Sequence, residues 1–179
     1  DGSEGEMCGN GIRCVGKYVY DKGYTNKTML TIETLSGIRT LWLQIDNGKV
    51  KSVTVDMGKV EVKKTTAISV DGKKISLFPV SVGNPHAVIF VDDVQSVPIT
   101  ALGSKIEKHS AFPGGVNVEF VQALGENRLR MRVWERGSGI TMACGTGACA
   151  AACAAVAAKL CTPDEPVFVQ LDGGILEIK

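Results

Sequence analysis

The chain has only two histidines, no surplus of either charge and no long strongly apolar run, and each shortage closes off a class of function. Twenty Lys plus Arg stand against nineteen Asp plus Glu for a formal charge of +1. The basic residues are scattered, so the sequence offers no stripe for nucleic acid and no such partner is expected. The longest apolar stretch, Ala143 to Ala158, is mostly alanine with two glycines and ends at Lys159. It is too short and too weakly hydrophobic to span a bilayer and reads as a buried helix, so no membrane partner is expected. No charged-then-apolar leader opens the chain, which begins at Asp1 rather than Met. What is present, 179 residues with 44% hydrophobic and 22% charged, suits one compact domain or two small ones with real cores.

Six cysteines lie at 8, 14, 144, 149, 153 and 161. A chain this apolar does not need disulfide staples, and four of the six fall in helix-like or apolar sequence. The gaps between neighbours and the scarcity of histidine do not match a zinc site, so no metal is expected. Cys14, Cys149, Cys153 and Cys161 read as small buried hydrophobes. Cys8 and Cys144 differ because each is followed by Gly-x-Gly and then a helix-like segment: MCGNGIRC with a helix over Ile12 to Lys22, and ACGTGAC with one over Ala148 to Leu160. At a helix N-terminus the exposed N–H groups and the positive end of the macrodipole are expected to lower a thiol pKa and to hold a carboxylate.

The repetition extends further. After each helix comes an alternating strand pattern with a glycine turn, LTIETLSGIRTLWL and VFVQLDGGILEIK, and Leu35 and Leu171 each lie 27 residues after their cysteine. This is an internal duplication, and it predicts two similar domains related by a pseudo-twofold axis, 1–51 and 52–179. The coarse pattern adds turns at Asp46-Asn47-Gly48 and Asp71-Gly72, a second domain opening on the alternation Val53, Val55, Met57, and a short helix near Pro98 to Ser110.

Two thiols facing each other across a cleft fit one chemistry well. Inverting a carbon that bears hydrogen needs a base on one face and an acid on the other, and a thiol/thiolate pair can exchange those roles. Helix N-termini aimed at the substrate carboxylate would stabilise the carbanion beside it. No lysine stands in a recognisable Schiff-base motif, so no cofactor is expected.

MCGNGIRC, GNPH at 83–86, GVNVEF at 115–120, WERGSG at 134–139 and ACGTGAC together resemble the diaminopimelate epimerase family, in that family's order and over nearly the whole chain. The resemblance implies an α/β fold of the α+β type in which each of two similar domains is a β-barrel-like sheet around a central helix. It implies a cytoplasmic, cofactor-independent, homodimeric isomerase that interconverts LL- and meso-diaminopimelate in lysine and peptidoglycan precursor synthesis. Carried over by position, it makes Cys8 and Cys144 the acid/base pair, with His86 and Glu135 supporting the thiols, and Glu135 also binding the ammonium group near the reacting carbon. Gly9, Asn10, Gly145 and Thr146 would bind the reacting carboxylate, and Asn84, Asn117 and Arg136 the distal end of the substrate. His109 matches nothing and reads as a surface residue.

A family member would begin with further strands, so the first domain is expected to be about half present and the polypeptide as given inactive. Two rivals remain. A proline or hydroxyproline racemase-type enzyme shares paired cysteines, although the Asn in MCGNG and the WERG stretch favour the diaminopimelate branch. A redox or ligand-binding protein would instead close its two cysteines into a reversible disulfide.

Overall fold

The computed structural model describes residues 7–179, which divide into two compact units, 7–58 and 59–179. In the first, α1 (Gly9–Asp21) lies on a three-stranded antiparallel sheet of β1 (Met29–Thr34), β2 (Gly37–Asp46) and β3 (Lys49–Val55), in the order β1-β2-β3. Ile12 and Gly16 face the sheet, where Leu41, Leu43 and Val50 are buried. A Cβ at Gly16 would lie 2.8 Å from Leu41 Cδ2, so glycine is what lets the helix come this close. The far end of α1 is tied down by Asp21, which accepts from Val50 N at 2.8 Å and from Lys17 at 2.7 Å. The β2–β3 turn uses Asn47 and Gly48 with φ of 49° and 72°, the two left-handed residues of a type I′ hairpin.

The Val53 and Val55 alternation belongs to this unit and does not open the second one. Val53 pairs with Leu43 and Val55 with Leu41 on β2, so the division falls between Gly58 and Lys59 and the expected boundary at 51/52 cuts through a strand.

The second unit holds β4 (Glu61–Val62), β5 (Thr66–Val70), β6 (Lys73–Ser81), β7 (Pro85–Phe90), α2 (Ile99–Glu107), β8 (Asn117–Gly125), β9 (Arg128–Glu135), β10 (Gly139–Thr141), α3 (Gly145–Ala157), β11 (Val167–Leu171) and β12 (Gly174–Ile178). Its sheet runs β12-β11-β9-β8-β7-β6-β4, with β10 on β9 and β5 on β6. Two pairings, β7 with β8 and β11 with β9, are parallel; the rest are antiparallel. The sheet curls around α3, which touches β4, β6, β7, β8, β9, β11 and β12. A helix enclosed on so many sides must be apolar all round and built of small residues, and GTGACAAACAAVA is that sequence. On the outer face, α2 covers a cluster containing Ile68, Leu77, Ile89, Val94, Ile99, Ile106, Val118 and Phe120.

Strand alternation divides β8 between the two faces. Val118 and Phe120 join the cluster under α2, while Asn117 and Glu119 face α3. The parallel register sets His86 opposite Asn117 and Val88 opposite Glu119, so His86 shares the α3 face.

The β11–β12 turn is pinned by Asp172, which accepts from Arg130 and, at 3.2 Å, from Arg132 Nε on β9. The Arg130 hydrogen bond, then Arg132, hold this carboxyl below the ordinary carboxylate range against partial burial. A depressed folded pKa gives stability that is present above the unfolded value and lost as pH falls through the folded one. Asp172→Asn is therefore expected to lower the thermal midpoint by about 2–4 °C at pH 7. The difference should shrink as pH falls through the lowered folded pKa, and a difference that stays constant down the acid limb would remove the ion pairs as its cause. Among the described residues no helix is long and apolar enough to cross a membrane.

Candidate active site

Both motif cysteines are helix N-caps. Cys8 (φ −126°, ψ 111°) caps α1 with its sulfur accepting from Gly11 N at 3.4 Å, and Cys144 (φ −128°, ψ 114°) caps α3 by accepting from Gly147 N at 3.3 Å. The helices start at Gly9 and Gly145, three residues before the positions expected from sequence. The thiols cap the first turn directly, so the Gly-x-Gly segments are that turn rather than a loop ahead of it. Each helix has 13 residues and is followed by a hairpin, β1–β2 after α1 and β11–β12 after α3. All six cysteines are free thiols.

The two caps differ in their surroundings. Cys8 is exposed; Cys144 is 6% exposed. Burial first, then the carboxylates of Glu119 and Glu135, push the Cys144 thiol up to about 12, against the lowering effect of hydrogen bonds from Thr146 and Gly147. The expectation that a helix start lowers the thiol pKa is reversed at Cys144, because desolvation outweighs the helix end. Cys144 holds its proton at neutral pH in this state. The second glycines differ too: a Cβ at Gly147 would fall 2.8 Å from Glu119 Oε1, whereas at Gly11 it would make ordinary contact with Cys8 at 3.5 Å.

In the second unit a line of polar side chains leads away from Cys144. Its Sγ lies 3.5 Å from Thr146 Oγ1, which accepts from Asn84 Nδ2 at 3.3 Å. Asn84 Oδ1 faces His86 Nε2 at 3.0 Å, and His86 Nδ1 meets Glu119 Oε1 at 2.7 Å. The GNPH turn, the start of α3 and the face of β8 thus meet at one place. Gly145 and Thr146 occupy the first turn of α3, where N–H groups have no intrahelical acceptor and point toward any bound anion.

The WERGSG segment forms the β9–β10 turn beside this line. Glu135 accepts from the Thr141 hydroxyl. Arg136 donates its N–H to Asn117 Oδ1 at 2.9 Å and its guanidinium to Gly114 O at 3.2 Å, while Asn117 also donates to Pro85 O at 3.1 Å. Asn117 therefore ties the WERG turn to the GNPH turn, and Arg136 presents an exposed guanidinium held at one end. Glu107, at the end of α2, accepts from Trp134 Nε1 at 2.7 Å and Gly137 N at 3.0 Å and anchors the same turn from the outer face.

Thus the structure brings Cys144, Thr146, Asn84 and His86 into one network, with Glu135 and Arg136 at the neighbouring β9–β10 turn and Asn117, at the start of β8, tied to it. Cys8, Gly9 and Asn10 lie in the first unit, where Asn10 Oδ1 accepts from Arg13 at 2.6 Å. His109 follows α2, its Nε2 3.2 Å from Ser69 O. Sequence reasoning missed Glu119 and Glu107. Glu119 carried a signal: it is the one charged residue in the apolar run VNVEFV, where a buried central strand should have none. Among the described residues no group of three or more His, Cys, Asp or Glu gathers in a metal-binding arrangement.

A family model described as diaminopimelate epimerase matches residues 1–63 and 78–179. The chain belongs to the diaminopimelate epimerase family. The unmatched segment covers β5 and the first half of β6, a hairpin whose Ile68, Val70 and Leu77 belong to the cluster under α2. A diaminopimelate epimerase of Phocaeicola vulgatus is 53% identical over 99% of this chain and 67% of its own length. One from Acetivibrio thermocellus is 46% identical over 100% of this chain and 68% of its own. The chain thus spans about two thirds of the length of the curated relatives it matches. Among solved structures, a hydroxyproline epimerase from Agrobacterium vitis with bound trans-4-hydroxy-L-proline superposes with a TM-score of 0.77 at 20% identity, covering 94% of this chain and 57% of that one. At that identity the likeness concerns the fold, a curled sheet around a central helix.

Proposed function

We propose that the protein interconverts LL- and meso-diaminopimelate by moving the α-proton between two cysteine sulfurs. The observation that carries this reading is the repeated cap: two cysteines of near-identical backbone geometry, each at the start of a 13-residue helix. One sulfur, as thiolate, takes the α-hydrogen from one face of the carbon; the other, as thiol, delivers its proton to the opposite face. The product leaves with one proton gained and one lost, no net redox change occurs, and the cysteines end with their roles exchanged. Cys144, which holds its proton in the state described here, is the acid of that state.

The electron pair released at the α-carbon delocalises into the adjacent carboxylate. First-turn N–H groups at Gly9, Asn10, Gly145 and Thr146 meet that growing charge with fixed dipoles, so little reorganisation is needed at the moment of transfer. Arg136 grips the distal carboxylate in a planar, bidentate manner, and Asn84 and Asn117 orient the distal end. Glu135 faces the ammonium group, and His86 supports the thiol through Asn84. The reading carries with it the cytoplasmic homodimer that the family resemblance implies.

A proline racemase-type activity rests on fold likeness at 20% identity, against 53% and 46% for relatives named as diaminopimelate epimerases. The test is stereoisomer analysis after incubating the full-length protein with LL-diaminopimelate, L-proline or trans-4-hydroxy-L-proline. Formation of meso-diaminopimelate with both proline substrates unchanged is expected. Turnover of a proline substrate alone would move the protein to the other branch, and turnover of none would return it to the redox or binding reading.

A further inference from the structure

Glu119 is fully buried, and its Oε2 has no hydrogen-bond partner among the described residues. Burying a carboxylate with one oxygen unpaired is costly, and an apolar side chain of similar volume would fill the space without that cost. What the carboxylate does is legible from the network it ends. Glu119, His86, Asn84, Thr146 and Cys144 form an unbroken line of contacts at 2.7, 3.0, 3.3 and 3.5 Å.

Such a line has a direction. An amide donates at one end and accepts at the other, so with Asn84 Oδ1 toward His86, Nε2 must carry hydrogen and Asn84 Nδ2 must donate to Thr146. Thr146 then keeps its own hydroxyl hydrogen and one lone pair for Cys144: it donates to a thiolate and accepts from a thiol. With the line reversed, the Thr146 hydrogen is committed to Asn84, and a thiolate at Cys144 loses that donor. Only the first direction serves both protonation states of a thiol that must act as acid and as base.

Neither Asn84 nor His86 fixes the direction alone, since an amide can turn over and a neutral imidazole can carry hydrogen on either nitrogen. Glu119 can. When Nε2 donates to Asn84, the 2.7 Å contact between His86 Nδ1 and Glu119 Oε1 needs a proton of its own, which leaves the buried pair neutral overall. Reversal removes the hydrogen from Nε2, since Nδ1 keeps its own to bridge to Oε1, and leaves a net negative charge in a fully buried site, the costlier arrangement.

We propose that Glu119 is a positioning residue for Cys144: by keeping hydrogen on both ring nitrogens of His86, it fixes the direction of donation through Asn84 and Thr146, so that the Thr146 hydroxyl follows the Cys144 proton on and off. The consequence for turnover rests on the function proposed above. The hydrogen-bond direction does not, because it is a property of the second unit alone. The other charged group facing Cys144 is Glu135 on β9, which is unchanged in every variant below.

The first measurement needs no variant of this line. The chain has two histidines, so ring nitrogen spectra of the 15N-labelled protein resolve His86 once His109→Gln identifies the other. Hydrogen on both His86 ring nitrogens at pH 7, with a strongly deshielded proton in the Glu119 contact, is expected; an Nε2 without hydrogen would overturn the proposal. The second follows alkylation of Cys144 by iodoacetamide against pH, read by mass spectrometry of its peptide. Glu119→Gln, which lets the line run either way, should slow Cys144 about tenfold at fixed pH, the worth of one hydrogen bond to a charged group. Thr146→Val should slow it similarly, the double variant no further, and Thr146→Ser should restore the rate. Additive losses, no change, or faster reaction in Glu119→Gln, as direct repulsion by the carboxylate would produce, would contradict it. If the wild-type protein leaves diaminopimelate unchanged while these results hold, the function fails and the positioning role stands.

Discussion

Replacing Cys144 by serine is expected to lower kcat/KM for diaminopimelate epimerisation by about 10³-fold in both directions while leaving the fold intact. The size is that of a lost general acid/base at the reacting atom. Serine keeps the cap, since its hydroxyl can accept the Gly147 N–H as Cys144 Sγ does now and serine is a favoured N-cap residue. What it cannot do is hold and release a proton near neutral pH. The loss should therefore fall on kcat, because proton transfer is made only in the transition state and the binding role proposed for Asn117 and Arg136 is untouched. Cys8→Ser should behave alike, and the double variant should lose little beyond either single one, since one missing partner already breaks a two-base transfer. Steady-state rates in both directions, with thermal melts of each variant, check this. Activity within a few-fold of wild type would remove Cys144 from the chemistry.

Phe120→Ala is expected to cost about 3–5 kcal/mol of stability, the range for a large aromatic removed from a core. In a chain of this length that is roughly 10 °C in Tm. Phe120 is 1% exposed and fills the cluster between the sheet and α2 with Leu77, Ile89, Ile99 and Ile106. Its neighbour Glu119 projects to the other face of β8, so the same strand carries the core on one side and the cysteine network on the other. Calorimetry on the purified variant measures the cost. A shift below about 3 °C would mean that the cluster collapses around the gap and that the α2 face is more plastic than its packing indicates.

The features legible in the sequence are those whose cause is local. Asn47-Gly48 and Asp71-Gly72 are type I′ turns because both positions need left-handed residues, and both are visible as letters. The alanine run from 143 to 158 reads as a buried helix because nothing in it seeks water. The capping cysteines stand out because a Gly-x-Gly after each marks an approach of backbone to something. What stayed hidden depends on contacts far along the chain. The start of each helix was misplaced because glycine is a poor helix former, and the sulfur that closes the first turn overrides that preference. Val53 and Val55 alternate like any strand, and only their pairing with Leu43 and Leu41 decides which unit they serve. Strands β4 and β10, two and three residues long, are too short to show a period. His86 and Glu119 are 33 positions apart and meet because β7 and β8 run parallel, a pairing no local pattern dictates. The sign of the Cys144 shift needed its burial, which the helix-start argument does not contain.

In the mechanism proposed above, one sulfur removes a proton from one face of the α-carbon and a second sulfur delivers a different proton to the other face. Running the reaction in deuterium oxide and analysing substrate and product separately at low conversion tests it most directly. The account predicts deuterium at the α-carbon of newly formed product with hydrogen retained in recovered substrate, because the base that removes the proton is not the acid that delivers its replacement. Equal deuterium in both, the mark of one base serving both faces, or no incorporation at all, would contradict it.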